Sequence, residues 1–388
     1  MLYLDWAAGA PPDSDIWDES AEIARSSFAN PSSPHIAGSV ARRLIEEARE
    51  RTATALGSRP DRVYFTSGAT EANNLVISSL LYRSEPGSVI VSGIEHSSVY
   101  EPCRLLEQFG FRIKVIHPGS TGRLEPESVV SRIRPDTVLI AIMHVNNETG
   151  AIQPIQSIVK AIRASRITKR RIHVHSDLVQ STGRVHVDLA GLDIDSAVIS
   201  GHKLGGPRGA GVLVLRNPIR SLARGGEQEG TVRPGTENLF AIWGACRAIE
   251  KATEDLSIPS GYGDRRAFFA AACSTIPDSI VIHDVEKSDS GGYSPFITAL
   301  SFPPLPAEVL VRAMGDHGIM IGTGAACNSR KSRRPRENRI TRSIGISDEI
   351  ADSLVRFSWA PGVEMDDLNH AAATLKRVVA ELHVGAKV

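Results

Sequence analysis

The chain has 388 residues, and its 44 Lys+Arg balance 44 Asp+Glu to a formal net charge of zero, which excludes a globally basic coat for nucleic acid. A hydrophobic fraction of 41% with 23% charged residues excludes global disorder. At this length a single hydrophobic core stops growing, so more than one domain is expected.

The opening Met1-Leu2-Tyr3-Leu4-Asp5-Trp6 lacks the basic lead-in of a secretory signal. Arg42 to Leu56 carries the apolar spacing of an amphipathic helix. From Val63 to Leu215, short β-branched runs alternate with helix-period segments. Strands are predicted over Val63–Thr66, Ser88–Ser92, Arg112–Ile116, Thr137–Val145, Arg171–Ser176, Ser196–Ser200 and Gly211–Leu215. Helices are predicted between them over Glu71–Tyr82, Tyr100–Phe109, Pro126–Ile133 and Ile155–Ser165. Such alternation predicts an α/β fold with a mostly parallel sheet covered on both faces. Another helix is predicted from Leu239 to Asp255, after which Pro259, Gly261 and Gly263 mark a boundary. Strand signals at Ile297–Phe302 and Leu354–Ser358 predict a smaller α+β domain beyond it.

The longest uninterrupted apolar stretch, Ala267 to Cys273, is too short to cross a bilayer, so no membrane association is expected. Cys103, Cys246, Cys273 and Cys327 show no CxxC spacing. Neither a disulfide framework nor a metal site is predicted, and the expected setting is reducing and cytoplasmic. Charge is uneven in one place: Arg330 to Arg342 holds seven bases and one acid, leaving the rest at net −6. A solvated loop would explain that run. So would a patch that steers an acidic protein or a nucleic-acid backbone.

Ligands of open α/β sheets bind beyond the carboxyl ends of the strands, so the strand-to-loop junctions carry the candidate chemistry. Thr66-Ser67-Gly68-Ala69-Thr70-Glu71 leads from a strand into a helix, whose first N–H groups suit an anion or simply receive a cap. Ser200-Gly201-His202-Lys203-Leu204-Gly205-Gly206-Pro207 ends another strand. A lysine among glycines is ordinarily a solvated turn residue, but inside a pocket it can lose its proton and attack a carbonyl. His175-Ser176-Asp177-Leu178-Val179-Gln180 offers a carboxylate for a heteroaromatic N–H and an amide for a phenolic oxygen, or else a helix cap. Glu95-His96 and Asn146-Asn147-Glu148-Thr149-Gly150 end two further strands. Together, a phosphate cradle, a lysine, a carboxylate and a flat polar side chain meet the demands of pyridoxal phosphate.

In order and spacing these segments resemble those of the class V aminotransferase-like enzymes, and most closely the cysteine desulfurases of the NifS and IscS kind. Leu4-Asp5-Trp6-Ala7-Ala8, Asn30-Pro31-Ser32-Ser33, Gly225-Gly226-Glu227-Gln228-Glu229, Arg233-Pro234-Gly235-Thr236 and Ala325-Ala326-Cys327 extend the resemblance from Leu4 to Ser358. It implies pyridoxal-phosphate fold type I with a seven-stranded, mostly parallel sheet. Residues 1–15 would join the small domain, 16–257 would form the large cofactor-binding α/β domain, and 258–388 the small α+β domain with the catalytic cysteine loop. Lys203 would carry the cofactor, Asp177 would pair with its pyridinium nitrogen, and His96 would stack on its ring and relay protons. Asn147 or its neighbour Asn146, with Gln180, would bind the phenolic oxygen. Ala69, Thr70, Ser200 and His202 would hold the phosphate, and Thr236 would reach it from the partner subunit of a homodimer. Arg356, with Asn147, would bind the substrate, its fork gripping the α-carboxylate.

Under the same resemblance, L-cysteine would become L-alanine, leaving a persulfide on Cys327 for a sulfur-acceptor protein such as an iron–sulfur scaffold. Small residues and basic neighbours around Cys327 suit a thiolate, whereas Cys103, Cys246 and Cys273 fall in helical patterns and read as buried and inert. Selenocysteine lyase, another class V activity, or a cofactor-binding scaffold without catalysis are the alternatives. Two stretches depart from the family. Ser358-Trp359-Ala360-Pro361 stands where Arg-x-Ser usually continues with Gly-Arg, and the run after Cys327 is more basic than usual.

Overall fold

The computed structural model describes residues 1–255, 262–283, 292–324 and 338–385. In chain order its strands are β1 (Leu2–Leu4), β2 (Val63–Thr66), β3 (Ser88–Ser92), β4 (Arg112–Ile116), β5 (Thr137–Ala141), β6 (His173–Asp177), β7 (Ser196–Ser200), β8 (Gly211–Leu215), β9 (Ile280–Ile282), β10 (Ile297–Ser301), β11 (Ile319–Thr323) and β12 (Leu354–Ser358). Seven of them form one sheet in the order β2-β8-β7-β6-β5-β3-β4. Only β8 runs against its neighbours; the rest are parallel, as the alternating pattern predicts. Every residue of β3, β7 and β8 is buried, because helices cover both faces of this sheet.

The order also locates the ligand crevice. From β3 the chain moves outward to β4, then crosses back to β5 on the other side of β3. Connections leaving β3 and β5 therefore diverge, and this switch point opens a crevice at their carboxyl ends.

A second, five-stranded sheet has the order β1-β11-β12-β10-β9, with β1 parallel to β11 and the other pairs antiparallel. Its core includes Leu4, Phe269, Phe296, Phe302, Phe357 and Trp359. The departure at Ser358-Trp359 thus builds core: Trp359 is fully buried, edge-on to Phe269 at 5.7 Å between ring centroids. Ser358 Oγ accepts from Ala7 N at 2.9 Å, fastening the amino-terminal segment to β12.

Predicted and observed elements differ mainly at their ends. The apolar run predicted as strand to Val145 leaves the sheet after Ala141, since Val145 bridges to Ile152 around a turn at Gly150, whose φ is +78°. The helix predicted from Tyr100 begins at Ser97, because His96 caps it through Ser98 N. The helix predicted from Arg42 begins at Ile36 for the same kind of reason, with His35 Nδ1 accepting from Gly38 N at 3.2 Å.

Candidate active site

The carboxyl ends of β2, β3, β5, β6 and β7 surround a cavity of about 490 Å³, closed from the other side by Ala7, Ala8, Gly324 and Arg356. Ala69, Thr70, His96, Asn147, Asp177, Gln180, Ser200, His202, Lys203 and Arg356 all line it. The helix Ala69–Ser78 points its amino end at this space, and its preceding residue, Gly68, supplies no side-chain cap. First-turn N–H groups of a helix are orphan donors with a positive partial charge. Gly211 of β8 allows this turn to lie close, since a Cβ there would come within 2.5 Å of the Gly68 carbonyl carbon.

Ser200 Oγ lies 2.8 Å from His202 Nδ1. Burial first, then Lys203 and Arg208, push the His202 imidazole down to about 4, so at neutral pH the ring is uncharged. Arg208 also lines the cavity, and the sequence reading gave it no role although it lies in the Lys203 loop.

Asp177, at the end of β6, is buried; its Oδ2 accepts from Asn73 Nδ2 at 2.9 Å and its Oδ1 from Val179 N at 3.0 Å. Lys203 Nζ donates to the carbonyls of Ala7 at 2.8 Å and Ala8 at 2.6 Å. Gln180 Nε2 donates to Ala7 O at 2.9 Å, and Arg184 donates to Gln180 Oε1. Arg184 also donates to Lys203 O at 3.2 Å and Trp6 O at 3.3 Å. That role is invisible from sequence, since it arises from contacts with three separate segments. His96 Nδ1 accepts from Ser98 N at 3.1 Å, and burial holds its pKa below the usual imidazole value against the raising influence of Asp177.

On the opposite wall, Arg356 donates to Asp5 Oδ1 at 2.6 Å and to Asn147 O at 3.0 Å. Its buried Nε has no partner among the described residues, nor has the buried Oδ1 of Asn147. Of the two neighbouring asparagines, Asn147 lines the cavity. Asn146 instead holds the turn: its Oδ1 accepts from Glu148 N at 3.0 Å, Thr149 N at 2.8 Å and Thr149 Oγ1 at 3.1 Å.

Two buried carboxyls lie close by. Burial pushes Glu148 up to about 7 and Glu95 up to about 8. Folded Glu95 therefore keeps its proton well above the unfolded value of 4.5, and the folded state binds more protons across that window. Stability from this group falls as pH rises from about 4.5 to about 8. Glu95→Gln should match the parent in denaturant midpoint at pH 5 and exceed it at pH 8; an offset independent of pH would contradict the burial argument.

Thr236 is exposed and does not line the cavity of its own chain. Cys327 and the first part of the basic run lie outside the described residues. Of that run's bases, the described Arg339 donates to the carbonyls of Gly93 and Glu95 and sits 3.9 Å from the Tyr100 ring centroid. Arg342 pairs with Asp348 at 3.3 Å. Arg339 is thus engaged within the fold, whereas Arg342 forms an exposed surface pair. Cys103, Cys246 and Cys273 are buried, and burial pushes all three thiols up, Cys246 to about 11 and Cys273 to about 12. They are poor nucleophiles. Among the described residues no group of acidic, His and Cys side chains could hold a metal ion, and no helix is long and apolar enough to cross a membrane.

The residues present fit pyridoxal phosphate. An uncapped helix start with a hydroxyl and a neutral imidazole beside it suits a phosphate, and an anchored carboxylate suits a pyridinium N–H. Two unpartnered buried polar atoms, on Asn147 and Arg356, suit a polar ligand between them. The aminotransferase class-V family model matches residues 2–370, and the chain belongs to that family, whose members depend on pyridoxal phosphate, among the cysteine desulfurases of the IscS and NifS kind. Cysteine desulfurase IscS of Dictyoglomus turgidum is 34% identical over 395 residues, covering 98% of this chain and 95% of the relative. A solved NifS-like protein superposes with a TM-score of 0.88 at 28% identity, covering 98% and 99% of the two chains. The structure of SspA in complex with cysteine superposes with a TM-score of 0.79 at 31% identity, covering 93% of this chain and 99% of the other.

Proposed function

We propose that this protein is a pyridoxal-phosphate-dependent cysteine desulfurase that converts L-cysteine to L-alanine and leaves the sulfur as a persulfide on Cys327. The observation that carries the reading is the convergence of Lys203, Asp177, His96 and Arg356 on one cavity. Similarity to cysteine desulfurases, and to a structure containing cysteine, supports the substrate.

Ala69 and Thr70 N–H groups, Ser200 and His202 hold the phosphate, Gln180 and Asn147 face the phenolic oxygen, and Asp177 keeps the ring nitrogen protonated. Bound there, the cofactor supplies an electron sink for the substrate's α-carbon. Lys203 would hold the cofactor between turnovers and move the proton at the α-carbon, with His96 lining the same cavity. Arg356 orients the substrate through its carboxylate. The Cys327 thiolate then attacks the substrate sulfur. A sulfur–sulfur bond forms as the carbon–sulfur bond breaks, and the electron pair of that bond stays with carbon, which takes up a proton to become alanine. An acceptor protein then takes the outer sulfur from Cys327. Exposed Thr236 fits a homodimer in which each chain reaches the phosphate site of the other.

Incubation of the pyridoxal-phosphate-loaded protein with L-cysteine should release alanine. Absence of alanine would overturn the reading.

Arg356→Lys keeps a charge but loses the planar fork. Hydrogen bonds to charged groups contribute about 1.5–3 kcal/mol, so KM for L-cysteine should rise about 10- to 100-fold with a smaller change in kcat. An unchanged KM would assign Arg356 to the Asp5 pair alone.

A further inference from the structure

Behind Asp177 a chain of buried polar side chains runs away from the cavity, and every proton position along it follows from one carboxylate. A carboxylate can only accept, so the Asn73 atom 2.9 Å from Asp177 Oδ2 is the amide nitrogen, Nδ2. Asn73 Oδ1 then faces His175 Nε2 at 2.9 Å, which must carry the proton. His175 Nδ1 is thereby a bare acceptor and takes the hydroxyl proton of Ser196 at 2.7 Å. The Ser196 oxygen, its hydrogen spent, accepts from His173 Nε2, also at 2.7 Å. His175 and Ser196 are register partners across β6 and β7. Asn73, His175 and Ser196 are almost wholly buried, so water does not compete for these bonds. Burial also pushes His175 down to about 3 and lowers His173, which keeps both rings neutral as this polarity demands.

The second Nδ2 proton of Asn73 points elsewhere. It is donated to Ser98 Oγ at 2.9 Å, and Ser98 Oγ lies 2.8 Å from His96 Nδ1. That nitrogen already accepts from Ser98 N as the helix cap, so it is bare and receives the hydroxyl proton too. Neutral His96 therefore carries its proton on Nε2. One amide group thus reaches Asp177 directly and His96 through Ser98 Oγ.

We propose that Asn73 is a positioning residue that fixes the Asp177 carboxylate and the His96 tautomer together, and that His173, Ser196 and His175 lock the orientation of its amide. The proposal concerns this chain's own hydrogen bonds; its consequence for the reaction rests on the cysteine desulfurase reading above. Every donor in the chain from His173 to Asn73 points towards Asp177, so the bonds polarise one another in one direction and hold the carboxylate oxygen in place. No residue of this chain behind the carboxylate touches substrate or cofactor; each acts through Asp177 or His96.

The test is spectroscopic. In protein labelled with nitrogen-15 histidine, long-range proton–nitrogen spectra should report His96, His173 and His175 as neutral, protonated on Nε2 and bare on Nδ1. His175 or His96 with its proton on Nδ1, or His175 charged at neutral pH, would overturn the proposal whether or not any variant folds. In holoprotein reconstituted with ring-nitrogen-labelled pyridoxal phosphate, Asn73→Ala should leave the Asp177 carboxylate one donor short and less firmly held against the ring nitrogen. The ring signal should then move towards the unprotonated value, and the His96 signals should move with it. By analogy with outer-shell partners in metal sites, kcat should fall about 10- to 100-fold with KM within about twofold. A lower melting temperature with unmoved ring and His96 signals would show a merely structural Asn73 and sink the idea. If the labelled cofactor does not bind the parent protein, the cofactor reading fails while the tautomers still decide the proton chain.

Discussion

Lys203→Ala abolishes alanine formation from L-cysteine and removes the absorbance of lysine-bound cofactor. Lys203 closes the turn Gly201–Lys203 at the end of β7. That turn is pressed against the helix Leu239–Asp255, where a Cβ on Gly201 would come within 2.6 Å of the Ala245 side chain. The ammonium is drawn to the carbonyls of Ala7 and Ala8 inside the cavity, where no other lysine among the described residues lines the wall. None of these described neighbours offers a second amine to hold the cofactor. Contacts at Ala69, Thr70, Ser200 and His202 survive the substitution, so equilibrium dialysis should still detect pyridoxal phosphate at reduced affinity. A variant with a normal band and normal turnover would remove Lys203 from this role.

Asp177→Asn should lower kcat by about 10²–10³-fold, the range seen when one preorganised electrostatic group is removed at a reacting centre. The change is nearly isosteric, and Val179 N can still donate to the remaining side-chain oxygen. What changes is charge. A neutral amide does not hold a pyridinium proton, and its NH₂ group cannot face Asn73 Nδ2, which donates there at present. Exchange of the substrate α-proton with solvent, followed by NMR in deuterated water, should slow in step with kcat. Unchanged exchange would show that the ring nitrogen draws nothing from Asp177.

Strands buried on both faces were the most legible part of the fold. Ser88–Ser92, Ser196–Ser200 and Gly211–Leu215 are observed as predicted, because short apolar runs rich in β-branched residues have few other uses in a covered sheet, and the edge strands Val63–Thr66 and Arg112–Ile116 match their predicted bounds as well. Ends set by local polar bonds were less legible. His35 and His96 act as helix caps, a position where Ser, Thr, Asp and Asn are the expected signals. For the site, sequence supplied strand-end positions for Lys203, Asp177, His96 and Asn147, and their convergence follows from parallel strands ending on one side. Asn73, Arg184 and Ser196 carried no signal. Each is a neutral or basic residue whose partners lie on other elements, and strand register alone decides that Ser196 faces His175. Arg339 read as one of a run of surface charges, yet burial turns it inward against the loop that carries His96.

The central claim is that this cavity delivers the sulfur of L-cysteine to Cys327, and peptide-resolved mass spectrometry after a single turnover tests it most directly. Mixed with one equivalent of L-cysteine and no acceptor, the pyridoxal-phosphate-loaded protein should yield alanine and an added sulfur atom on the Cys327 peptide in matching amounts. Cys103, Cys246 and Cys273 should remain unmodified. Alanine formed without sulfur on Cys327, or sulfur carried by one of the buried cysteines, would contradict the account.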